Sequence, residues 1–144
     1  MVALNPSARI SVPLRNFHGG WSGSGKLRHV FKEGTRGAVY RGAYMTDFIT
    51  TRAEPDSNEL RDLTRNEEEE NAERFLMELD DLGCERPTIL TFGARAHGLV
   101  LKYVPTNRRH GQPIPLPHYS WRKLNRPEDC CREMWRCLPS TTPA

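Results

Sequence analysis

Four short apolar runs that alternate with helix-like segments constrain the fold of this chain more than any other feature of its sequence. The runs that predict strands lie at residues 1–4, 42–49, 87–93 and 114–116. Apolar residues at helical spacing predict a helix after each run, over residues 24–32, 66–82, 94–104 and 125–138. Strands that alternate with helices indicate a parallel sheet covered by helices. We therefore predict the α/β class, as a three-layer α/β/α sandwich with a central four-stranded parallel sheet.

The length of 144 residues allows one hydrophobic core and therefore one domain. We assign residues 1–138 to that domain and residues 139–144 to a flexible tail. Because the first predicted strand begins at Met1, we expect a natural domain to have more chain before it. No apolar run approaches the ~20 residues of a membrane span, and the N-terminus lacks the layout of a secretion signal. We expect a cytoplasmic monomer without a membrane partner.

The net charge of +3 permits a nucleic-acid partner without arguing for one, because nucleic-acid binders are marked by clustered charge. The four cysteines, at positions 84, 130, 131 and 137, form no Cys-x-x-Cys pair, so zinc and iron–sulfur sites are not expected. The glycines match neither the dinucleotide-binding fingerprint nor the P-loop. We therefore predict no metal and no cofactor.

Local signals mark both ends of the predicted helix over residues 66–82. Asn66 and Glu69 stand three residues apart and predict a capping box. The glutamates at 67–70 are interpreted as a solvated face rather than a metal site. Gly83 is expected to end the helix after a buried stripe of Phe75, Leu76, Leu79 and Leu82.

The last two predicted helices also show an apolar face. The helix over residues 94–104 is expected to bury Ala96, Leu99 and Val100, and its His97 is interpreted as a satisfied surface or core histidine. The helix over residues 125–138 is expected to turn four side chains inward, namely Cys131, Met134, Trp135 and Leu138.

Polar and aromatic residues follow the fourth predicted strand at its carboxyl end, where ligand sites collect in open parallel sheets. His118 can donate or accept a proton, and Ser120 can hydrogen-bond a phosphate. Trp121 can stack or wedge between bases, while Arg122 and Lys123 can neutralise the nucleic-acid backbone. The alternative is a surface turn with a chance basic pair, because short motifs often occur by chance.

Two further segments offer ligand-binding groups. The glycine-rich loop over residues 16–25 allows a ligand to approach the backbone closely. The same composition also fits a flexible linker. The aromatic residues Phe17 and Trp21 favour a ligand site. Asp47 is an acid within the otherwise apolar second strand, where a buried carboxylate needs a partner. A helix cap or a rim position is the alternative for Asp47.

Three motifs taken together resemble the uracil-DNA glycosylase superfamily. They are Ala3-Leu-Asn-Pro-Ser7 after the first strand, Gly42-Ala-Tyr-Met-Thr-Asp47 in the second and His118-Tyr-Ser120 after the fourth. In particular, the chain resembles a bacterial and phage branch with a GAYMTD-type strand and a PHYS end. The resemblance covers residues 1 to about 135, and it implies an α/β domain that acts on DNA.

The resemblance also implies roles for individual residues. Asn5 would hold the attacking water through its side-chain carbonyl, and His118 would steady the charge on the departing base. Phe17 would stack on the flipped base, and Asp47 would read the edge of the base. Uracil readers of this family usually carry asparagine at that position, whereas an ionised aspartate only accepts hydrogen bonds and suits an exocyclic amine.

The implied DNA contacts come from residues that follow the first and fourth strands. Ser7, Ser120, Arg122 and Lys123 are candidates for phosphate contacts, since such contacts position a duplex without reading it. Trp121 is a candidate to fill the gap that a flipped base leaves, as is Leu124, which fits better as a core residue of the last helix.

The leading hypothesis is a DNA glycosylase that flips a damaged or deaminated base of single- or double-stranded DNA and hydrolyses its N-glycosidic bond without metal. The alternative is a catalytically inactive module that binds nucleic acid or a nucleotide on the same fold. An acyl or phosphate hydrolase ranks last, because no Gly-x-Ser-x-Gly sequence is present.

Overall fold

The computed structural model describes residues 2–3, 43–52, 60, 62–84, 86–106, 111–118 and 127–138. Its strands are β1 (Val2–Ala3), β2 (Thr46–Asp47), β3 (Leu90–Phe92) and β4 (Ile114–Leu116). Its helices are α1 (Arg65–Asp81), α2 (Ala94–Tyr103) and α3 (Pro127–Cys137). The helix predicted over residues 24–32 lies outside this part of the chain.

Every pair among the described strands is parallel, and the pairs give the order β2-β1-β3-β4. The most extensive pairing joins β3 and β4, in register from Leu90 opposite Ile114 to Phe92 opposite Leu116. β1 pairs with β2 at Val2 and Ala3, and with β3 at Val2 alone. The prediction of an α/β chain with parallel strand pairing is confirmed.

β2 and β3 are shorter than the apolar runs that predict them. All three residues of β3 are buried, which is typical of a parallel strand covered on both faces. Phe48 and Ile49 follow β2 and are fully buried without belonging to a strand. An apolar run in the sequence therefore predicts burial. A strand also requires a neighbouring strand with which its backbone forms hydrogen bonds.

Helix α1 begins earlier than its sequence pattern predicts. Its N-cap is Thr64, whose hydroxyl accepts the Glu67 backbone N–H at 3.3 Å, while the Glu67 carboxylate accepts the Thr64 backbone N–H at 2.8 Å. The predicted capping box of Asn66 and Glu69 is therefore wrong. The sequence offers both pairs, and a contact with Arg52, whose Nε donates to Glu67 at 2.7 Å, stabilises Glu67 in the cap.

The apolar face of α1 meets a hydrophobic cluster that includes residues of α1 and α2 together with Phe48 and Ile49, which follow β2. Phe75 and Leu79 are buried and Leu76 packs against the cluster, as predicted. Leu82 is 43% exposed, so its predicted place in the stripe is wrong. Leu82 follows the last helical residue, and Gly83 reverses the chain there with a φ of 62°.

The later helices match their predicted inner faces in most positions. Helix α2 buries Ala96, Leu99 and Val100 and lies against α1, β3 and β4. In α3, which lies against β4, Met134 is fully buried; Leu138, directly after the helix, is also buried. Trp135 is only half-buried, in contrast to the prediction, and the Cys131 side chain lies outside the described part. None of the described helices is long and apolar enough to cross a membrane.

Candidate functional site

A backbone hydrogen bond joins the carboxyl ends of β3 and β4 beside His118. Gly93 directly follows β3, and its N–H donates to the Leu116 carbonyl oxygen at the end of β4, at 2.9 Å. A Cβ atom added to Gly93 would lie 3.5 Å from both Cβ and Cδ2 of His118. The imidazole therefore covers Gly93 at the sheet edge that the sequence predicts for a ligand site.

The environment of His118 favours the neutral form of its imidazole. Burial lowers the pKa of His118 from its usual value of 6.5, because the imidazolium form loses hydration. His118 as a whole residue is half-buried. A neutral imidazole donates from one nitrogen and accepts at the other, and it can therefore donate a hydrogen bond near pH 7 without carrying a charge.

Asp47 lies at the corresponding end of β2. It is 8% exposed and stands opposite Ala3 in the pairing of β2 with β1. Because all pairs are parallel, the residues that end the strands share one edge of the sheet. β1 and β3 lie between β2 and β4, which places the two backbones roughly 14 Å apart at the usual strand spacing.

Of the residues predicted to form the site, the structure therefore describes Asp47 and His118 and places both at the same edge of the sheet. The others lie outside the described residues and remain predictions. They are Asn5, Ser7, Phe17, Ser120, Trp121, Arg122 and Lys123. β1 ends at Ala3, so the predicted water-holding residue follows it by two positions.

A polar seam joins α1 to the segment that contains Asp47. We define it as four side chains of α1 and the backbone or side chains of residues 44–52 that they contact. The α1 members are Glu67, Asn71, Arg74 and Glu78, spaced three or four residues apart. The contacts run in reverse order along the segment, from Arg52 beside Glu67 to Tyr44 beside Glu78.

Asn71 and Arg74 make the central contacts of the polar seam. The fully buried Asn71 accepts the backbone N–H of Thr50 at 2.8 Å and that of Thr51 at 3.3 Å through Oδ1. Its Nδ2 donates to Thr51 Oγ1 at 2.8 Å and to the Glu67 carbonyl at 2.6 Å. Arg74 Nη2 donates to the carbonyl oxygens of residues 47 and 48.

Sequence reasoning missed the polar seam because it followed only the apolar stripe of the helix. The signal was present: polar residues recur at 67, 71, 74 and 78, the spacing of one helical face. A polar stripe of this kind also fits a solvated face, and the sequence contains no feature that distinguishes the two. The contacts with residues 44–52 show that this face of α1 is bound within the fold and is not a solvated face.

The glutamates at positions 67–69 form more hydrogen bonds with other side chains than a solvated face would. Glu68 accepts hydrogen bonds from Lys102 Nζ and Tyr103 Oη, both at 2.7 Å, and Glu69 accepts from Arg65 at 2.7 Å. The Lys102 hydrogen bond lowers the pKa of Glu68 from its usual value of 4.5, and the Thr64 backbone lowers that of Glu67. Within the described residues, no group of three His, Cys, Asp or Glu side chains could hold a metal ion.

His97 is held within the fold, in agreement with its predicted role. Its Nδ1 lies 2.9 Å from Oγ1 of the fully buried Thr91, which donates to the Ile114 carbonyl at 3.2 Å. The Thr91 hydroxyl therefore lies within hydrogen-bond distance of both the imidazole of α2 and the backbone of β4. This histidine joins β3, β4 and α2 and differs in role from His118.

No protein-family model, no curated protein and no solved structure matches the chain.

Proposed function

We propose that the chain is a DNA glycosylase-like protein of the uracil-DNA glycosylase superfamily, which flips a damaged or deaminated base and hydrolyses its N-glycosidic bond without metal. The observation that carries the proposal is the placement of Asp47 and His118 at the carboxyl edge of parallel strands. The full fold that we propose is a three-layer α/β/α sandwich around a central four-stranded sheet. We further propose that the protein is a cytoplasmic monomer.

The reaction would begin with departure of the base. A neutral His118 donates a hydrogen bond to the base as negative charge develops on it, which lowers the barrier without a cation in the ground state. Asn5 holds a water molecule that attacks the oxocarbenium-like sugar after the glycosidic bond has lengthened. The asparagine carbonyl orients this water, since a strong base is not needed once the bond has broken.

Recognition of the base would involve Asp47 and Phe17. The carboxylate at position 47 accepts from an exocyclic amine, which favours an amino-bearing base over uracil. Its burial excludes water from the contact and strengthens it. Phe17 stacks on the face of the flipped base.

The distribution of charge supports DNA as the partner. Residues 4–42, which follow β1, contain seven lysines and arginines and one acid. Residues 119–126 contain three cations and no acid, whereas α1 contains eight acids and two arginines. Cations thus follow the two strands whose ends are assigned to catalysis. Ser7, Ser120, Arg122 and Lys123 would bind phosphates, and Trp121 would fill the gap left by the flipped base.

The proposal is tested with labelled single- and double-stranded oligonucleotides that each contain one uracil, hypoxanthine, xanthine or normal base. Alkali treatment and a denaturing gel reveal abasic sites. We expect cleavage at one base with the wild type, and loss of cleavage in His118→Ala and Asn5→Ala. His97→Asn is the matched control, because an amide both donates and accepts and can still hydrogen-bond Thr91. Full cleavage by His118→Ala would refute the mechanism.

The second candidate function is a binding module that retains the fold without catalysis. Asp47 favours it, because an acid stands where uracil readers usually carry an amide. In this case the oligonucleotides would shift in a mobility assay without any cleavage after alkali. The apparent affinity would fall steeply with salt, as expected when cations neutralise phosphates.

A further inference from the structure

Arg74 of α1 contacts the end of β2 through its guanidinium group. Its Nη2 donates to the carbonyl oxygen of Asp47 at 2.8 Å and to that of Phe48 at 2.9 Å, and its Nη1 is paired with Glu78. Among the described strands β2 stands at one end of the order, with β1 as its only strand partner. The guanidinium thus binds two successive carbonyl oxygens at the end of β2.

These two hydrogen bonds restrict the backbone around Asp47. The carbonyl of Asp47 orients the peptide plane that follows it, and the carbonyl of Phe48 orients the next plane. The pairing with β1 also places Asp47 opposite Ala3. The next residue of α1, Phe75, packs against Phe48 with ring centroids 5.5 Å apart. Asp47 is therefore restrained both by the strand pairing and by α1.

We propose that Arg74 is a positioning residue that determines which base the Asp47 carboxylate selects. This inference rests on the proposed glycosylase function and deepens it. A carboxylate discriminates between bases only while its oxygens lie at hydrogen-bond distance from the amine, and a shift of about 1 Å can cost about 100-fold in rate. In this role Arg74 acts through the backbone of Asp47 and does not contact the base.

The test compares base preference in Arg74→Met, Arg74→Lys and Arg65→Met. Methionine preserves much of the side-chain stem, which suits the buried Nε of Arg74, and it removes both donors to β2. Arg65→Met is the matched control, because Arg65 forms an (i, i+4) pair with Glu69 as Arg74 does with Glu78. The measured quantity is the ratio of kcat/KM for the preferred base to that for the next base.

We expect this ratio to fall at least about tenfold in Arg74→Met and to remain unchanged in Arg65→Met. Lysine can still donate a hydrogen bond, although not in the planar geometry of arginine. The kcat/KM ratio should therefore fall about threefold in Arg74→Lys. A purely structural role for Arg74 would lower the rates for all bases together and leave the ratio unchanged. That outcome would overturn the inference. Arg74→Lys decides the question if Arg74→Met does not fold.

Hydrogen exchange of the peptide over residues 43–52 provides a readout that does not need activity. Exchange should accelerate in Arg74→Met and not in Arg65→Met; equal exchange in both would overturn the positioning role. If the wild type cleaves no base, the proposed function fails and the inference about selectivity fails with it. If the wild type cleaves one base and Arg74→Met keeps its preference, the inference alone fails.

Discussion

The imidazole of His118 lies against Gly93, the residue that joins β3 to α2. Gly93 has a φ of 86° and a ψ of 155°, a backbone region that is open essentially only to glycine. Its N–H also holds the end of β4 through Leu116. One glycine thus determines both the turn after β3 and the surface on which the histidine rests.

Gly93→Ala is expected to destabilise the protein by about 1–3 kcal/mol, because alanine is strained at this φ and ψ. Gly98→Ala is the matched control, since Gly98 lies within α2 and has open space around it. Alanine there should stabilise the protein by about 0.5–1 kcal/mol through its higher helix propensity. Urea unfolding of the three proteins measures both effects, and equal stabilities would contradict the strained conformation of Gly93.

Asn71→Ala is expected to destabilise the protein by about 2–3 kcal/mol. The substitution removes the acceptor of two backbone N–H groups and leaves them without this partner in a partly buried setting. Asn66→Ala, at an exposed position of the same helix, should change the free energy of unfolding by less than about 0.5 kcal/mol. A difference below about 1 kcal/mol between the two variants would argue against the polar seam as a stabilising element.

Thr64→Ala is expected to cost about 1 kcal/mol, because the hydroxyl caps the first turn of α1. Thr64→Ser keeps a hydroxyl and should restore most of this loss. The measurement is again the free energy of unfolding in urea. If Asn66→Ala proved the more costly of the two alanine variants, the helix would begin where the sequence pattern predicts and not where the structure places it.

The stability contribution of His118 is expected to depend on pH. As pH falls through about 6.5 the unfolded histidine binds a proton, whereas the folded one stays neutral until its lower pKa is reached. The wild type should therefore lose stability relative to His118→Gln between these two pKa values, and the difference should level off below them. Urea unfolding of both proteins from about pH 8 to about pH 5 measures this.

The hydrogen-bonded carboxylates of Glu67 and Glu68 affect stability in a lower pH range than His118 does. The pKa values of Glu67 and Glu68 are lowered from 4.5, so their stabilisation is present above 4.5 and is lost as pH falls through the folded values. A loss of stability near pH 6 that is absent from His118→Gln therefore belongs to His118 and not to these carboxylates. A wild type and a His118→Gln variant with parallel stability profiles above pH 5 would contradict the burial of this imidazole.

Local patterns in the sequence account for much of the fold. The end of α1 at Gly83 and the buried face of α2 were both predictable, because glycine conformation and helical periodicity act over a few residues. The position of Asp47 and His118 at one edge follows from the alternation of strands and helices. The roles of Asn5 and Phe17 stay predictions that rest on resemblance.

Other features were decided by contacts between distant parts of the chain. Two capping boxes were compatible with the sequence of α1, and Arg52 contributes to the choice by binding Glu67. Leu82 continues the apolar stripe in sequence and lies exposed, because the helix ends one residue before it.

What the sequence by itself determined is the alternation of elements, their apolar faces and the residues that end them. Only the tertiary structure decided that α1 holds Asp47 through Arg74 and that Asn71 is fully buried. The physical reason is that a buried polar group needs a partner, and the partners here lie more than twenty residues away in the chain. The periodicity of the sequence indicates which face of α1 is polar. The tertiary fold determines which groups that face contacts.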